Sequence, residues 1–238
     1  MTRVAWATPW QSGLLRGLVA VVIALGLDAS ARGQALDVPA RPAMKDVEPP
    51  GSADGDRVGP STAIAQRAVL YEEDPTDAQG RRFVGSTIWR SETVTAGADV
   101  AVKADLEIPE RRLTMSFSLY RNSDRALPAS HVIEVAFKLP PDFPFDGVSN
   151  VPGVLMKQTE QTRGAPLAGL SVKVTTGVFM IGLSAVEADV QRNLQLLKER
   201  AWFDIPIYYG NGRRAILALE KGDSGERAFD EAFRSWGQ

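Results

Sequence analysis

His131 is the single histidine of the chain, and it carries no neighbouring motif that would make it a catalyst. Imidazole catalysis needs a partnered nucleophile or acid. His131 instead shares alternation with Ile133, Val135 and Phe137, which reads as a structural histidine at the start of a strand. The sequence contains no Gly-x-Ser-x-Gly elbow, no Ser-x-x-Lys and no phosphate-cradling glycine loop. With 0 cysteines it also offers no thiol nucleophile, zinc–thiolate site, iron–sulfur ligand or disulfide. No cofactor or metal is expected.

Carboxylates are the remaining source of acid–base or cation chemistry. Glu72, Glu73, Asp74 and Asp77 form an acidic cluster closed by Gly80. Oxygen-rich loops hold calcium, but this spacing is not that of an EF-hand loop. The cluster reads as a solvated turn between two strands. Glu107 and Glu110 flank Pro109, with Arg111 and Arg112 following as their expected counter-charges.

A third group has binding rather than catalytic character. Trp202, Tyr208 and Tyr209 lie close to Arg213 and Arg214. Trp202 and Tyr208 alternate oppositely to Phe203, Ile205 and Ile207, so they point away from the face that should enter the core. Exposed Trp and Tyr beside Arg is the composition of an interaction surface. Trp202, Tyr208, Arg213 and Arg214 are therefore the candidate site, unless the late helices cover the aromatic pair. Trp89-Arg90 is a second such pair, and Arg163 falls in a polar Gln- and Thr-rich loop.

The elements that must carry these residues are mostly strands. Leu113, Met115, Phe117 and Leu119 alternate with polar residues, as do Ile133, Val135, Phe137 and Leu139. Val100–Ile108 gives a third strand. Segments 67–71, 82–90, 170–174 and 178–183 are further candidates. Gly210-Asn211-Gly212 between two alternating runs predicts a hairpin with a tight primed turn. Ser184-Ala-Val-Glu187 predicts a capping box. It opens a helix to about Arg200, with Val186, Val190, Leu194 and Leu197 as its apolar stripe. A second helix starts at Asp223 or Ser224 and carries Phe229, Ala232, Phe233 and Trp236 on one face. The fold class is mainly β: a β-sandwich, immunoglobulin-like or a related open barrel, with two late α-helices.

The first residues have the order of an export signal. Arg3 and Arg16 precede the apolar run Leu18–Leu27, and Ala29-Ser30-Ala31 supplies small residues. The run is shorter than the roughly 20 apolar residues of a membrane span. Cleavage after Ala31, or after Ala35, is the expectation; an uncleaved inner-membrane anchor is the alternative. Residues 32–65 hold Pro39, Pro42, Pro49, Pro50 and Pro60 without apolar periodicity and read as a disordered linker. Residues 66–238 are then the globular domain. The formal net charge of −2 gives no basic stripe for a nucleic-acid backbone.

The order of elements in the later half of the chain resembles that of uncharacterised exported alphaproteobacterial proteins. The residues concerned are Leu139-Pro-Pro-Asp142, Val151-Pro-Gly-Val-Leu155, the helix 187–200, the strand ending Ala215–Gly222, and the closing Phe-containing helix. More distantly it is similar to the invasion-associated locus B family, whose members typically carry cysteines that this chain lacks. The resemblance implies an envelope protein without an established enzymatic activity, and it supplies no site residues. Together these readings give a periplasmic or secreted module that binds another envelope protein or a glycan. A small-ligand carrier, a carboxylate-based hydrolase and a purely structural envelope protein are the alternatives. Oligomeric state is left open.

Overall fold

In the computed structural model, residues 64–94 and 99–238 are described. The expected signal segment and nearly all of the expected linker lie outside them.

The strands are β1 (Gln66–Asp74), β2 (Asp77–Thr93), β3 (Val100–Ile108), β4 (Leu113–Arg121), β5 (Ala129–Lys138), β6 (Val148–Asn150), β7 (Leu155–Lys157), β8 (Ala165–Pro166), β9 (Gly169–Thr175), β10 (Val178–Ser184), β11 (Trp202–Tyr209) and β12 (Arg214–Glu220). They form one antiparallel sheet in the order β8-β7-β11-β12-β1-β2-β3-β4-β5-β10-β9, with β6 also paired to β11. The sheet curls into a half-barrel, the open-barrel form of the expected class. Helix α1 (Glu187–Glu199) sits between β10 and β11 in sequence, and α2 (Gly222–Trp236) closes the described chain.

Strand β2 is paired on both of its edges. Its first half pairs with β1, up to Thr87 opposite Gln66. Its second half pairs with β3, starting at Ser86 opposite Glu107. The two pairings overlap at Ser86 and Thr87; next to the overlap Gly85 stands opposite Ala68, and a Cβ there would be 1.9 Å from the Glu107 carbonyl oxygen. Glycine alone permits that approach. Trp89 of β2 meets Phe117 of β4, Phe203 of β11 and Phe229 of α2 with ring centroids 5.5–5.7 Å apart. Helix α2 fills the concave side with Phe229, Ala232, Phe233 and Trp236, as its stripe requires.

Three local expectations differ from what is found. The hairpin β11–β12 turns through Gly210, Asn211 and Gly212, with Tyr208 opposite Arg214 and a positive φ at Gly212 but not at Asn211. The type I′ turn that Asn-Gly favours needs positive φ at both central positions; this loop meets the strand twist with a single left-handed glycine. The capping box is not formed. Ser184 Oγ accepts from Val186 N at 3.2 Å, which makes a local turn before the helix, and the Glu187 carboxylate accepts from Gln191 instead. Val186 is exposed and outside the apolar stripe, whereas Leu194, Leu196 and Leu197 are buried.

Candidate functional site

His131 is buried, with Nδ1 3.2 Å from Ser130 Oγ and its ring 4.9 Å from that of Trp236. Burial lowers its pKa to about 4 from the ordinary 6.5, helped by the charge of Arg121. It is a neutral core group at physiological pH.

The acidic cluster is divided by the pleat of β1. Glu72 follows Ala68 and Leu70 onto the concave face and is buried. There the Tyr209 hydroxyl donates to Glu72 Oε1 at 2.8 Å, and the Arg111 guanidinium pairs with Oε2. Arg111 also lies over the Phe83 ring, 4.2 Å from its centroid. Burial first, then the Glu72 charge, raises the Tyr209 hydroxyl pKa. Glu72 is thus not part of a solvated turn: inward parity beside an arginine and a tyrosine makes it a satisfied buried ion pair. Arg111 serves Glu72, and Arg112 serves Asp142 at 2.6 Å, so neither neutralises Glu107 or Glu110.

Glu73 and Asp77 do face solvent around the β1–β2 turn, whereas the Asp74 side chain is only 8% exposed. Arg214 donates from Nη2 to Glu73 Oε1 at 2.7 Å, and this holds the Glu73 pKa down. The Thr76 backbone N–H and hydroxyl, followed by Arg81, hold Asp74 at about 2. Asp77 accepts from the Gln79 amide at 2.9 Å.

Because β1 pairs with β12, Tyr71 stands opposite Ile216 and Glu72 opposite Ala215. This pairing brings the acidic turn beside the aromatic–arginine hairpin. Between them runs an open groove of about 590 Å³ on the convex face. Tyr71, Glu73, Pro206, Tyr208, Arg214 and Ile216 line it, and the β1–β2 turn from Asp74 to Gly80 forms one wall. Tyr208 and Ile216 are each 40% exposed. Two expected site residues, Tyr208 and Arg214, therefore meet here.

The other two do not. Trp202 has the expected outward parity but is only 8% exposed, packed with Val69, Ala218, Tyr71 and Ala201. Strands cover it, not the late helices. Next to it the convex face carries a closed polar network. Glu160 takes Arg67 at 3.0 Å, Arg82 at 3.3 Å and the Tyr71 hydroxyl, and Lys157 pairs with Asp204 at 2.6 Å. Arg213 turns to the opposite side, 5.0 Å from the Phe145 ring. Trp89 is core, its Nε1 donating to the Glu220 carbonyl at 2.8 Å, while Arg90 pairs with Asp105. Arg163 is exposed in its loop.

The groove residues that sequence reasoning missed are Tyr71, Pro206 and Ile216. Parity alone puts all three outward, but their convergence depends on β1 pairing with β12, which alternation does not encode. Among the described residues no group of three or more His, Asp or Glu side chains is placed to hold a metal ion, and no helix is long and apolar enough to cross a membrane. Compared with protein-family models, with curated proteins and with solved structures, the chain matches none.

Proposed function

We propose that the protein is an exported envelope module that binds another envelope component, a protein segment or a glycan, in the groove between the β1–β2 turn and the β11–β12 hairpin. The observation that carries this reading is the groove itself. An apolar and aromatic floor of Tyr208, Pro206 and Ile216 lies beside carboxylates and an arginine that are already positioned. Aromatic faces stack on sugar rings or peptide side chains, and the fixed polar groups give orientation. Export rests on the order of charged, apolar and small residues in the first 31 positions.

A carboxylate-based hydrolase would use the same groove differently. Such chemistry needs one carboxyl kept protonated near neutral pH. Glu73 and Asp74 are both shifted the other way, by Arg214 and by Thr76. Among the described carboxyls Asp204 is raised by burial, but it is paired with Lys157 and does not line the groove. The groove therefore favours holding a ligand over cleaving one.

The test is a photo-reactive amino acid at Tyr208 in the full chain, expressed in the native cell, with mass identification of the adduct. One dominant envelope protein or glycan, lost in the Arg214→Ala and Ile216→Asp variants, is the expected result. Adducts that those variants leave unchanged would refute the groove as the binding site.

A further inference from the structure

The sheet ends at β9, and among the described residues no strand pairs with the outer edge of β9. Natural edge strands are blunted by lysine, proline, bulges or a covering loop, because unpaired N–H and C=O groups recruit another strand. From Gly169 to Lys173, β9 is regular and proline-free, and the register shift against β10 falls only beyond Lys173. Leu170 of this edge is the most exposed large apolar side chain among the described residues. Leu170 is 81% exposed and Val172 56% exposed, on the same side of the strand. The one lysine does not guard the edge, since its Nζ turns to the Phe179 ring, 5.9 Å from the centroid.

We propose that β9 is a homodimer interface, pairing antiparallel with β9 of a second copy about a two-fold axis at Ser171. The regular segment Gly169–Lys173 has Ser171 at its midpoint, which fixes this register. In an isologous pair each residue meets its symmetry counterpart. Leu170 then lies opposite Val172 of the second copy, and Val172 opposite Leu170, so each apolar residue gains an apolar cross-strand neighbour. On the other face Lys173 meets Gly169, and no like charges are opposed. Ser171 meets Ser171 on the axis, a small side chain that opposes neither charge nor bulk. The edge thus sets apolar residues opposite apolar ones and brings no like charges together. Two half-barrels would join into one continuous sheet, with the groove at Tyr208 lying at neither shared edge.

The chain has 0 cysteines, so a single introduced thiol reports the axis. Directly opposed residues of antiparallel strands have Cα atoms about 4.5–5.5 Å apart, within disulfide reach. Ser171→Cys is expected to give a covalent dimer on mild oxidation, whereas Ile216→Cys, exposed but far from β9 in strand order, is expected to form no covalent dimer. Sedimentation of the unmodified protein is expected to show a concentration-dependent dimer. Val172→Lys should abolish it while leaving the thermal midpoint of the monomer unchanged. A monomer at all concentrations overturns the proposal. Hydrogen exchange at the β9 amides then separates two reasons: protected amides mean a segment of the same chain caps the edge, and open amides leave it for a different protein. A dimer that persists in Val172→Lys, or that Ser171→Cys does not cross-link, overturns it equally.

Discussion

Glu72 and Glu73 are neighbours in sequence and sit on opposite faces of β1. The pleat sends Glu73 to Arg214 in solvent and Glu72 to Arg111 and Tyr209 in the interior. An exposed pair of the first kind contributes little, whereas breaking a buried pair leaves a charge without its partner. Glu72→Ala should therefore cost about 3–5 kcal/mol in a urea titration, and Glu73→Ala should leave the midpoint where it was. Equal midpoints for the two variants would contradict the burial of Glu72. His131 was legible as structural because its parity matched its apolar neighbours. Trp202 was misjudged by the same reasoning, since parity gives the face and not what lies over it. Here it packs against Ala218 of the hairpin partner β12 and against Val69 and Tyr71 of β1, which is remote in sequence.

At the scale of elements, β2 and α2 decide the shape. Gly85 lets β2 hold β1 and β3 on its two edges at once, with a Cβ position 1.9 Å from the Glu107 carbonyl oxygen. A carbonyl in a sheet ladder cannot yield as a flexible side chain would. Gly85→Ala should cost about 1–3 kcal/mol by forcing the strands apart, read as a lower thermal midpoint with a largely retained β-type circular dichroism spectrum. Trp236 ends the stripe of α2, is 4% exposed and donates from Nε1 to the Val100 carbonyl at 2.9 Å. Trp236→Ala removes both the buried ring and that bond, and should cost about 3–5 kcal/mol. The long alternating strands, the late hairpin and both helices were readable because period and turn residues are local signals. The short strands β6, β7 and β8 had no such signal, being at most three residues long. Nor did sequence show that β1 lies between β2 and β12, and the groove is a product of that pairing.

For the whole domain, stability should depend on pH in two steps, and the first belongs to His131. Its folded pKa of about 4 lies below the ordinary 6.5, because burial disfavours the imidazolium and Arg121 opposes it further. The unfolded chain therefore binds a proton between pH 6.5 and 4 that the folded chain refuses. Stability rises with pH wherever the unfolded state holds more protons. The contribution is fully present above pH 6.5, falls as pH drops toward 4, and levels off below. A shift of this size corresponds to on the order of 3 kcal/mol. The second step comes from carboxyls lowered in the fold: Asp74 by Thr76 and Arg81, Glu73 by Arg214, and Asp142 by Arg112. Their stabilisation is present above their unfolded pKa and is lost as pH falls through the folded values, with Asp74 still contributing until about 2. Urea midpoints measured from pH 8 to pH 3 should thus decline first between 6.5 and 4. In His131→Phe, which keeps an apolar ring beside Trp236, that first decline should vanish while the acidic one remains. A His131→Phe profile parallel to that of the unmodified protein across this window would show that His131 accepts its proton in the folded state.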